Sequence, residues 1–422
     1  MYRTEADMRE IAVAADIIDE TPEIVASPVA AARTPGLDAR VATSITEIHR
    51  DDWDQCFPGE PEAYDYLLTV EKAGIAGFDF CYATVYEGGY LVAAMPGFIT
   101  RYALDTTLEP GRIRDAIAKL RRIWPGFLTL PLACLGSPCT ETGNIGFHPS
   151  VGEARQEALF EALLNCFETF AKSRKCVLGA LKDVPQPVAP GIERTIQAHG
   201  YAPLGGMPTA WLPIDFPDMD TYFARLSSGT RKDMRRKLKA RDKVRVEYQT
   251  ELGDYLPRVM ELYHDTRSRS DWQFEELTPA YFEGILKSMP GRSFCAMYFV
   301  NDQLLAANLL VHSEHTLIDK FFCMDETAGR PYNLYYLSWF ENIGYCLKHG
   351  MTRYQSGQAY YTNKVRLGSQ LTPNEMYFRH RNPFLQRLLR AISPFFAADE
   401  TAGVDKAEAK SGEAVSAEVK PA

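Results

Sequence analysis

Chemistry-bearing residues gather in one stretch, Gly329–Gly368, which reads GRPYNLYYLSWFENIGYCLKHGMTRYQSGQAYYTNKVRLG. Near its end a lone lysine, Lys364, follows Tyr360, Tyr361 and Asn363 in a glycine-containing loop. An ammonium placed there could stabilise an oxyanion in a transition state, or anchor a phosphate or carboxylate; the plain alternative is a solvated loop lysine. Near its start, Gly-Arg-Pro precedes a helical pattern, with Leu334, Leu337, Phe340, Ile343, Gly344 and Leu347 at three- and four-residue steps. The N-terminus of such a helix offers main-chain N–H groups, here at Asn333, Leu334 and Tyr335, and positive potential to an anion. Asn333 could cap that helix or meet a ligand. Tyr335 and Tyr336 point about 100° apart, so one faces the core and the other a cleft. Lys348, His349 and Gly350 then end the helix, and Met351–Gln355 reads as a short strand. One strand end therefore receives both the helix start and Lys364.

A second concentration of charge lies at 231–245, where nine Lys and Arg residues, Arg235 and Arg236 among them, face two acids. It could grip the phosphates of a nucleotide sugar, a coenzyme or a tRNA, or be a solvated basic helix. No aromatic residue interleaves it, which argues against stacking on single-stranded bases. Metal-ligand spacings are absent: there is no H-E-x-x-H, no C-x-x-C and no G-x-S-x-G.

Around these stretches the pattern is α+β. Helices are expected at Glu62–Ala73, Pro110–Ile123, Glu153–Lys172, Ile192–His199, Asp220–Arg241, Leu256–Arg267 and Pro279–Met289. Strands are expected at Ser44–His49, Phe80–Tyr86, Tyr90–Ile99, Leu128–Leu135, Cys176–Leu181, Ala210–Asp215, Val244–Tyr248, Ser293–Val300, Gln303–Val311, Thr316–Phe322 and Asn374–His380. FCYATVYEGGYLVAA (Phe80–Ala94) aligns with FCAMYFVNDQLLAAN (Phe294–Asn308), each a hairpin later followed by a long helix and a short strand. The chain thus reads as a duplication of two α+β lobes, each a mostly antiparallel sheet carrying helices.

The 422 residues carry a net charge of −9, and 46% are hydrophobic, enough for two cores. Much of the charge sits at the ends: Met1–Arg40 is net −4 and Asp399–Ala422 net −3. The near-neutral remainder gives no bulk case for DNA binding. Residues 1–40 and 398–422 read as disordered tails, the first with a marginal helix at Met8–Ile18. The lobes read as 41–209 and 210–397. Nine cysteines without paired spacing suggest buried thiols in a reducing cytoplasm. No secretory signal pattern and no membrane-length apolar run is present.

The order hairpin, third strand, helix, strand, lysine loop, final strand resembles GNAT acyltransferases, and two such lobes in tandem resemble the FemAB-like branch. Three stretches carry the resemblance: LSSGTRKDMRRKLKARDKVRVEY (Leu226–Tyr248), YNLYYLSWFENIGYCLKHGM with SGQAYYTNKVRLG, and FRHRNPFLQRLL (Phe378–Leu389). It spans roughly residues 45–389 and includes bacterial GNAT proteins of the cellulose-biosynthesis type. It implies an N-acyltransferase of cell-envelope or exopolysaccharide metabolism, with the active site in the second lobe. In FemAB-type enzymes a late lysine stabilises charge on the transferred acyl group, and Lys364 stands at that place. By the same resemblance Tyr361 would be the general acid for the leaving group, or else one edge of an aromatic cluster. His312, at a hairpin strand end, would be the general base, or else structural; Asp271, Glu275 and Glu276 are further acids near the expected cleft. Arg330, Asn333, Leu334 and Tyr335, with Arg235 and Arg236, would bind the donor. Of the family's glycine-rich pyrophosphate loop only Gly329, Arg330 and the helix start are matched. The implied donor is acyl-CoA, a cosubstrate rather than a tightly bound cofactor; the alternatives are aminoacyl-tRNA and a non-catalytic binding module. The implied acceptor is an amine on a small molecule or envelope precursor. Phe384–Phe396, an apolar helix with Arg387 and Arg390, either packs on the second lobe or rests on an anionic membrane face.

Overall fold

The computed structural model describes residues 36–103, 119–121, 129–269 and 274–393. The first part of the chain gives β1 (Leu37–Ala42), α1 (Arg50–Cys56), α2 (Tyr64–Lys72), β2 (Phe78–Glu87), β3 (Tyr90–Ala103), β4 (Thr129–Leu135), β5 (Gly146–Phe147), α3 (Glu153–Ser173), β6 (Leu178–Pro185), α4 (Pro190–Ala198) and β7 (Ala202–Gly205). After it come β8 (Thr209–Pro213), α5 (Met219–Arg225), α6 (Ser228–Lys237), β9 (Arg245–Gln249), α7 (Leu256–Ser268), α8 (Pro279–Ser288), β10 (Ser293–Val300), β11 (Gln303–His312) and β12 (Thr316–Met324). The last part holds α9 (Glu326–Gly329), α10 (Leu334–His349), β13 (Arg353–Gln355), α11 (Tyr361–Arg366), β14 (Gln370–Thr372), β15 (Asn374–His380) and α12 (Pro383–Ile392).

Two sheets result, and they share one plan. The first runs β1-β2-β3-β4-β6-β15-β7, with β5 on β3; the second runs β9-β10-β11-β12-β13-β8-β14. In each, four antiparallel strands are followed by a parallel fifth, β6 on β4 and β13 on β12. The repeated hairpins match in detail. Gly88 and Gly89 in one, Asn301 and Asp302 in the other, all have positive φ, as a tight right-twisting hairpin turn requires. Each hairpin carries one bulge a few residues from its turn.

The sixth strand of each sheet is exchanged. β8 follows the first set of elements yet lies in the second sheet. β15 follows the second set yet pairs with β6 and β7 in the first. The final strand read from sequence therefore exists, but in the other lobe's sheet. The switch falls at Pro373, which cannot donate a ladder bond, and at Gly206–Pro208 on the return path. There the strands cross closely. Gly206 N donates to Asn374 O at 3.0 Å, and a β-carbon on Gly206 would lie 2.9 Å from that oxygen.

Local differences from the sequence reading have local causes. β1 begins at Leu37, inside the segment read as a tail, because Leu37–Ala42 pairs with β2 along its whole length. Ile45–Glu47 is a 3-10 turn rather than a strand, closed by a reciprocal cap between Ser44 and Glu47. The single helix expected at Asp220–Arg241 is two, since Leu226 is extended and Ser227 starts a new helix by accepting from Thr230 N at 3.2 Å. The lysine loop contains a helix, α11, begun by Tyr360 in the left-handed region. The expected helix at Pro110–Ile123 lies outside the described residues except for helical Lys119–Arg121, and Met8–Ile18 lies outside them altogether.

One core crosses between the lobes: Trp53, Tyr66 and Tyr82 of the first part share a cluster with Tyr263, Tyr281 and Met297 of the second. α2 packs on α8 in it. Tyr66 Oη donates to Cys139 O at 2.6 Å and sits 2.9 Å from Tyr281 Oη. All nine cysteines are buried free thiols. Among the described residues no helix is long and apolar enough to cross a membrane.

Candidate active site

β12 and β13 pair only through Thr316–Arg353, Leu317–Tyr354 and Ile318–Gln355 and then part. Beyond that point β12 bulges on β11. Leu310 faces Asp319 and Leu309 faces Phe321, so Lys320 is the extra residue. On the other side of the split run Ser356 and Gly357, held on β8 by Ser356 N donating to Ala210 O at 2.9 Å. α11 turns back and lays Lys364 into the wedge. Its Nζ donates to Gly357 O at 2.8 Å and, in a shorter contact, to Ser356 O. The side chain is buried, at 4% exposure.

Carboxylates surround it. Asp319 accepts from Asn308 Nδ2 at 3.2 Å and from Tyr354 Oη at 3.3 Å. From the first lobe, Glu141 accepts from Gln355 Nε2 at 2.9 Å. A β-carbon on Gly357, whose φ is +90°, would lie 3.2 Å from Glu141 Oε1 and 3.5 Å from Lys364 Nζ. Glycine there lets carboxylate and ammonium flank one backbone position. Desolvation lowers the Lys364 ammonium to about 8, against the pull of Glu141 and Asp319. Desolvation raises Asp319 to about 7, against the pull of Lys364, and raises Glu141 above the usual carboxylate range. Lys320 stays charged: burial opposes it, but the ion pair with Glu62 together with the neighbouring Tyr281 and Glu141 outweighs that, and Nζ donates to Cys139 O at 2.9 Å.

The first lobe has the corresponding strand split after Leu135 and Leu181, but its own loop fills it. Gly143 N donates to Asp183 O at 2.7 Å, and Lys182 Nζ donates to Thr140 O at 2.9 Å. That loop instead delivers Cys139 O and Glu141 to the second lobe's site. The split beside Lys364 is thus built from both lobes.

α10 starts against this place. Asn333 occupies the cap position in the left-handed region and makes no side-chain cap bond, so the cap expected from its side chain does not form. Leu334 and Tyr335 head the helix after a 3-10 turn at Arg330–Tyr332, where the first N–H groups have no partner within the helix. The Tyr335 ring packs on Phe322 and Tyr360, at centroid separations of 5.9 and 6.0 Å. Its hydroxyl is buried and has no hydrogen-bond partner among the described residues. Tyr361 Oη instead donates to Pro208 O at 2.8 Å, tying α11 to the strand-exchange segment. From the basic helix α6, Lys237 reaches the first turn of α10, its Nζ 3.4 Å above the Tyr336 ring. Arg236 is exposed and paired with Asp233 at 2.7 Å, and Arg235 lies 5.9 Å over Phe223. Arg330 is exposed and pairs with Glu326.

His312 is not brought to this place. It stands at the far end of β11, with Nε2 3.3 Å from Tyr345 Oη. Tyr345 is ten residues along α10 from Tyr335, about 15 Å at helical rise. Glu276 pairs with Arg267 at 3.4 Å. Glu275 is raised by desolvation and feels Lys182 and Lys320, so it borders the inter-lobe cleft. Asp271 lies outside the described residues. Asp319, Lys320, Glu62 and Glu141 escaped the sequence reading. A signal existed for two of them: Asp319-Lys320 interrupts the apolar run TLIDKFFCM, where charge needs a reason.

A known family and two solved structures resemble this chain in sequence pattern or fold. The FemAB-like model, described as peptidoglycan biosynthesis/recognition, matches residues 145–415. The crystal structure of FemX superposes with a TM-score of 0.55 at 14% identity, covering 83% of this chain and 99% of that one. A tandem GNAT protein from the clavulanic acid biosynthesis pathway, determined without AcCoA, superposes at 0.50 and 13% identity, covering 82% and 99%. No curated protein matches the sequence. Two exchanged GNAT-type lobes, with the family match running across the second, place this chain in the FemAB-like family.

Proposed function

We propose that the chain is an N-acyltransferase of cell-envelope metabolism, moving an acyl or aminoacyl group from an activated donor to an amine on a peptidoglycan-type precursor. The observation that carries this reading is the buried Lys364 ammonium at the split between β12 and β13, on a segment whose Tyr360 and Asn363 meet Tyr335 and Tyr336 at the start of α10. An acyl carbonyl in the split would meet the ammonium and the N–H groups of Leu334 and Tyr335, donors suited to the oxyanion of a tetrahedral intermediate. The acceptor nitrogen attacks the carbonyl carbon; the new C–N bond forms as the bond to the donor's sulfur or oxygen breaks. Asp319, with its pKa at about 7, takes the proton the amine loses. The unpartnered hydroxyl of Tyr335 supplies the proton to the leaving group; Tyr361, already donating to Pro208 O, serves to hold α11. His312 plays no part in this scheme.

For the donor, acyl-CoA is one reading. A second, aminoacyl-tRNA, is favoured by the segment before α10. Where a pyrophosphate would be cradled stand Asp325, which caps Ala328 N at 2.8 Å, and Glu326, which pairs with Arg330. The basic helix α6 lies alongside. The test is transfer of a labelled group from each donor in turn to a soluble peptidoglycan precursor, with and without ribonuclease. Ribonuclease-sensitive transfer selects the tRNA reading, and ribonuclease-resistant transfer from acyl-CoA selects the other. If neither donor is consumed by a chain that still binds the precursor, the enzymatic reading gives way to a binding module.

A further inference from the structure

α12 is attached by one side only. Leu389 packs on the cluster of Phe98, Leu132, Cys134 and Leu178. Gln386, 8% exposed, accepts from His380 N at 2.7 Å and donates to Gly200 O at 3.2 Å and to Phe378 O at 3.3 Å. Asn382 caps the helix by accepting from Phe384 N at 2.9 Å. On the opposite side Phe384 is 73% exposed, Leu388 51% and Leu385 39%. At 100° per residue these three fall in one arc, with Arg387 on its flank.

The ground around that arc is basic. Arg381 Nη1 donates to Cys176 O at 3.3 Å, which sets it against the turn ending α3, where Lys172, Arg174 and Lys175 are exposed. Arg390 Nη2 donates to Gly200 O at 2.8 Å. Close by, Glu168 is taken up by Arg379 at 2.7 Å and His199 at 3.0 Å. An exposed Phe-Leu-Leu arc beside positive charge with no acidic partner among the described residues fits an interface that is apolar below and anionic at its surface.

We propose that α12 docks the protein on an anionic lipid bilayer, with Phe384, Leu385 and Leu388 entering the headgroup boundary. Arg381, Arg387 and the α3 turn would contact lipid phosphates. The surface is separate from the transfer site: β15 carries the chain from Asn374, beside Glu141, to His380, beside α12, about 20 Å at strand rise. The docking reading therefore does not depend on the identity of the donor.

The test is flotation of the full chain with vesicles of phosphatidylcholine alone and of equal parts phosphatidylcholine and phosphatidylglycerol. The chain should float with the anionic vesicles only and be released by salt, which screens exposed charge. Arg387→Glu should lower the bound fraction roughly five-fold, and Phe384→Asp with Leu388→Asp by about ten-fold or more. These side chains are exposed, so the melting temperature of each variant should match the parent and exclude misfolding. Three outcomes overturn the proposal: no flotation of the parent chain, flotation equal in the Phe384→Asp, Leu388→Asp variant, or vesicle-free sedimentation showing a dimer that this variant dissolves. The last would make the face a contact between copies.

Discussion

Replacing Glu141 with Gln should move the titration of a lysine in the other lobe. Lys364 sits at about 8 in the folded chain, against an ordinary value of 10.5, a bias of about 3 kcal/mol against its charged form. Glu141 is the larger of the two charges that oppose this desolvation. At an effective dielectric of ~20, one carboxylate in the same cleft is worth about 2 kcal/mol, or about one to one and a half pH units. Glu141→Gln keeps the acceptor for Gln355 Nε2 and removes the charge, so the Lys364 midpoint should fall to about 7 or below. The assay is carbon-13 NMR of labelled lysine side chains, with the Lys364 signal assigned by its loss in Lys364→Met. The sign also reaches stability. A lysine whose folded pKa is depressed gives up its proton first in the native state, so between about 8 and 10.5 the unfolded chain holds more protons. This group's contribution to stability therefore rises with pH through that window, and in Glu141→Gln the rise should begin about one unit earlier. A Lys364 midpoint that stays at 8, or climbs toward 10, would refute the claim that Glu141 and Lys364 share one electrostatic site.

Further outcomes follow from the same geometry. Lys320→Met strands Glu62 without its buried partner and should destabilise the chain by about 3–5 kcal/mol, read by urea unfolding. Gly206→Ala drives a β-carbon to 2.9 Å from Asn374 O; since backbone cannot yield there, a loss of about 1–3 kcal/mol is expected in the same measurement. Asp319→Asn should cut transfer and abolish an acid-side limb centred near pH 7 in the rate profile, whereas His312→Gln should leave both rate and profile unchanged. Equal losses from the two substitutions would return the base role to His312.

The fold was legible where periodicity and turn chemistry agree. The two hairpins align in the sequence because their turns, bulges and apolar faces answer the same pleat. What sequence could not show was which sheet a strand joins. β8 and β15 look like any short strand; their exchange is decided by the tertiary path through Gly206–Pro208 and Pro373, not by local propensity. The site divides in the same way. That Lys364 and the start of α10 come together was legible from residue type and spacing; the role proposed for them is not read from either. Glu141 gave no signal, since it acts from the other lobe, more than two hundred residues away in sequence. Tyr335 and Tyr361 were indistinguishable as types; only the partner at Pro208 O separates them. Arg235 and Arg236 belong to a run in which charge density, not direction, is visible, and Lys237 is the member that reaches the cleft edge.

The decisive comparison is transfer by the purified chain and by its Lys364→Met variant. Each is incubated with a soluble peptidoglycan precursor and either labelled acyl-CoA or labelled aminoacyl-tRNA, and the precursor is weighed by mass spectrometry. The parent chain should add one acyl or aminoacyl group, and Lys364→Met should slow that addition about 10²–10³-fold while the protein stays folded. Transfer that survives intact without the Lys364 ammonium would contradict the role given to it here.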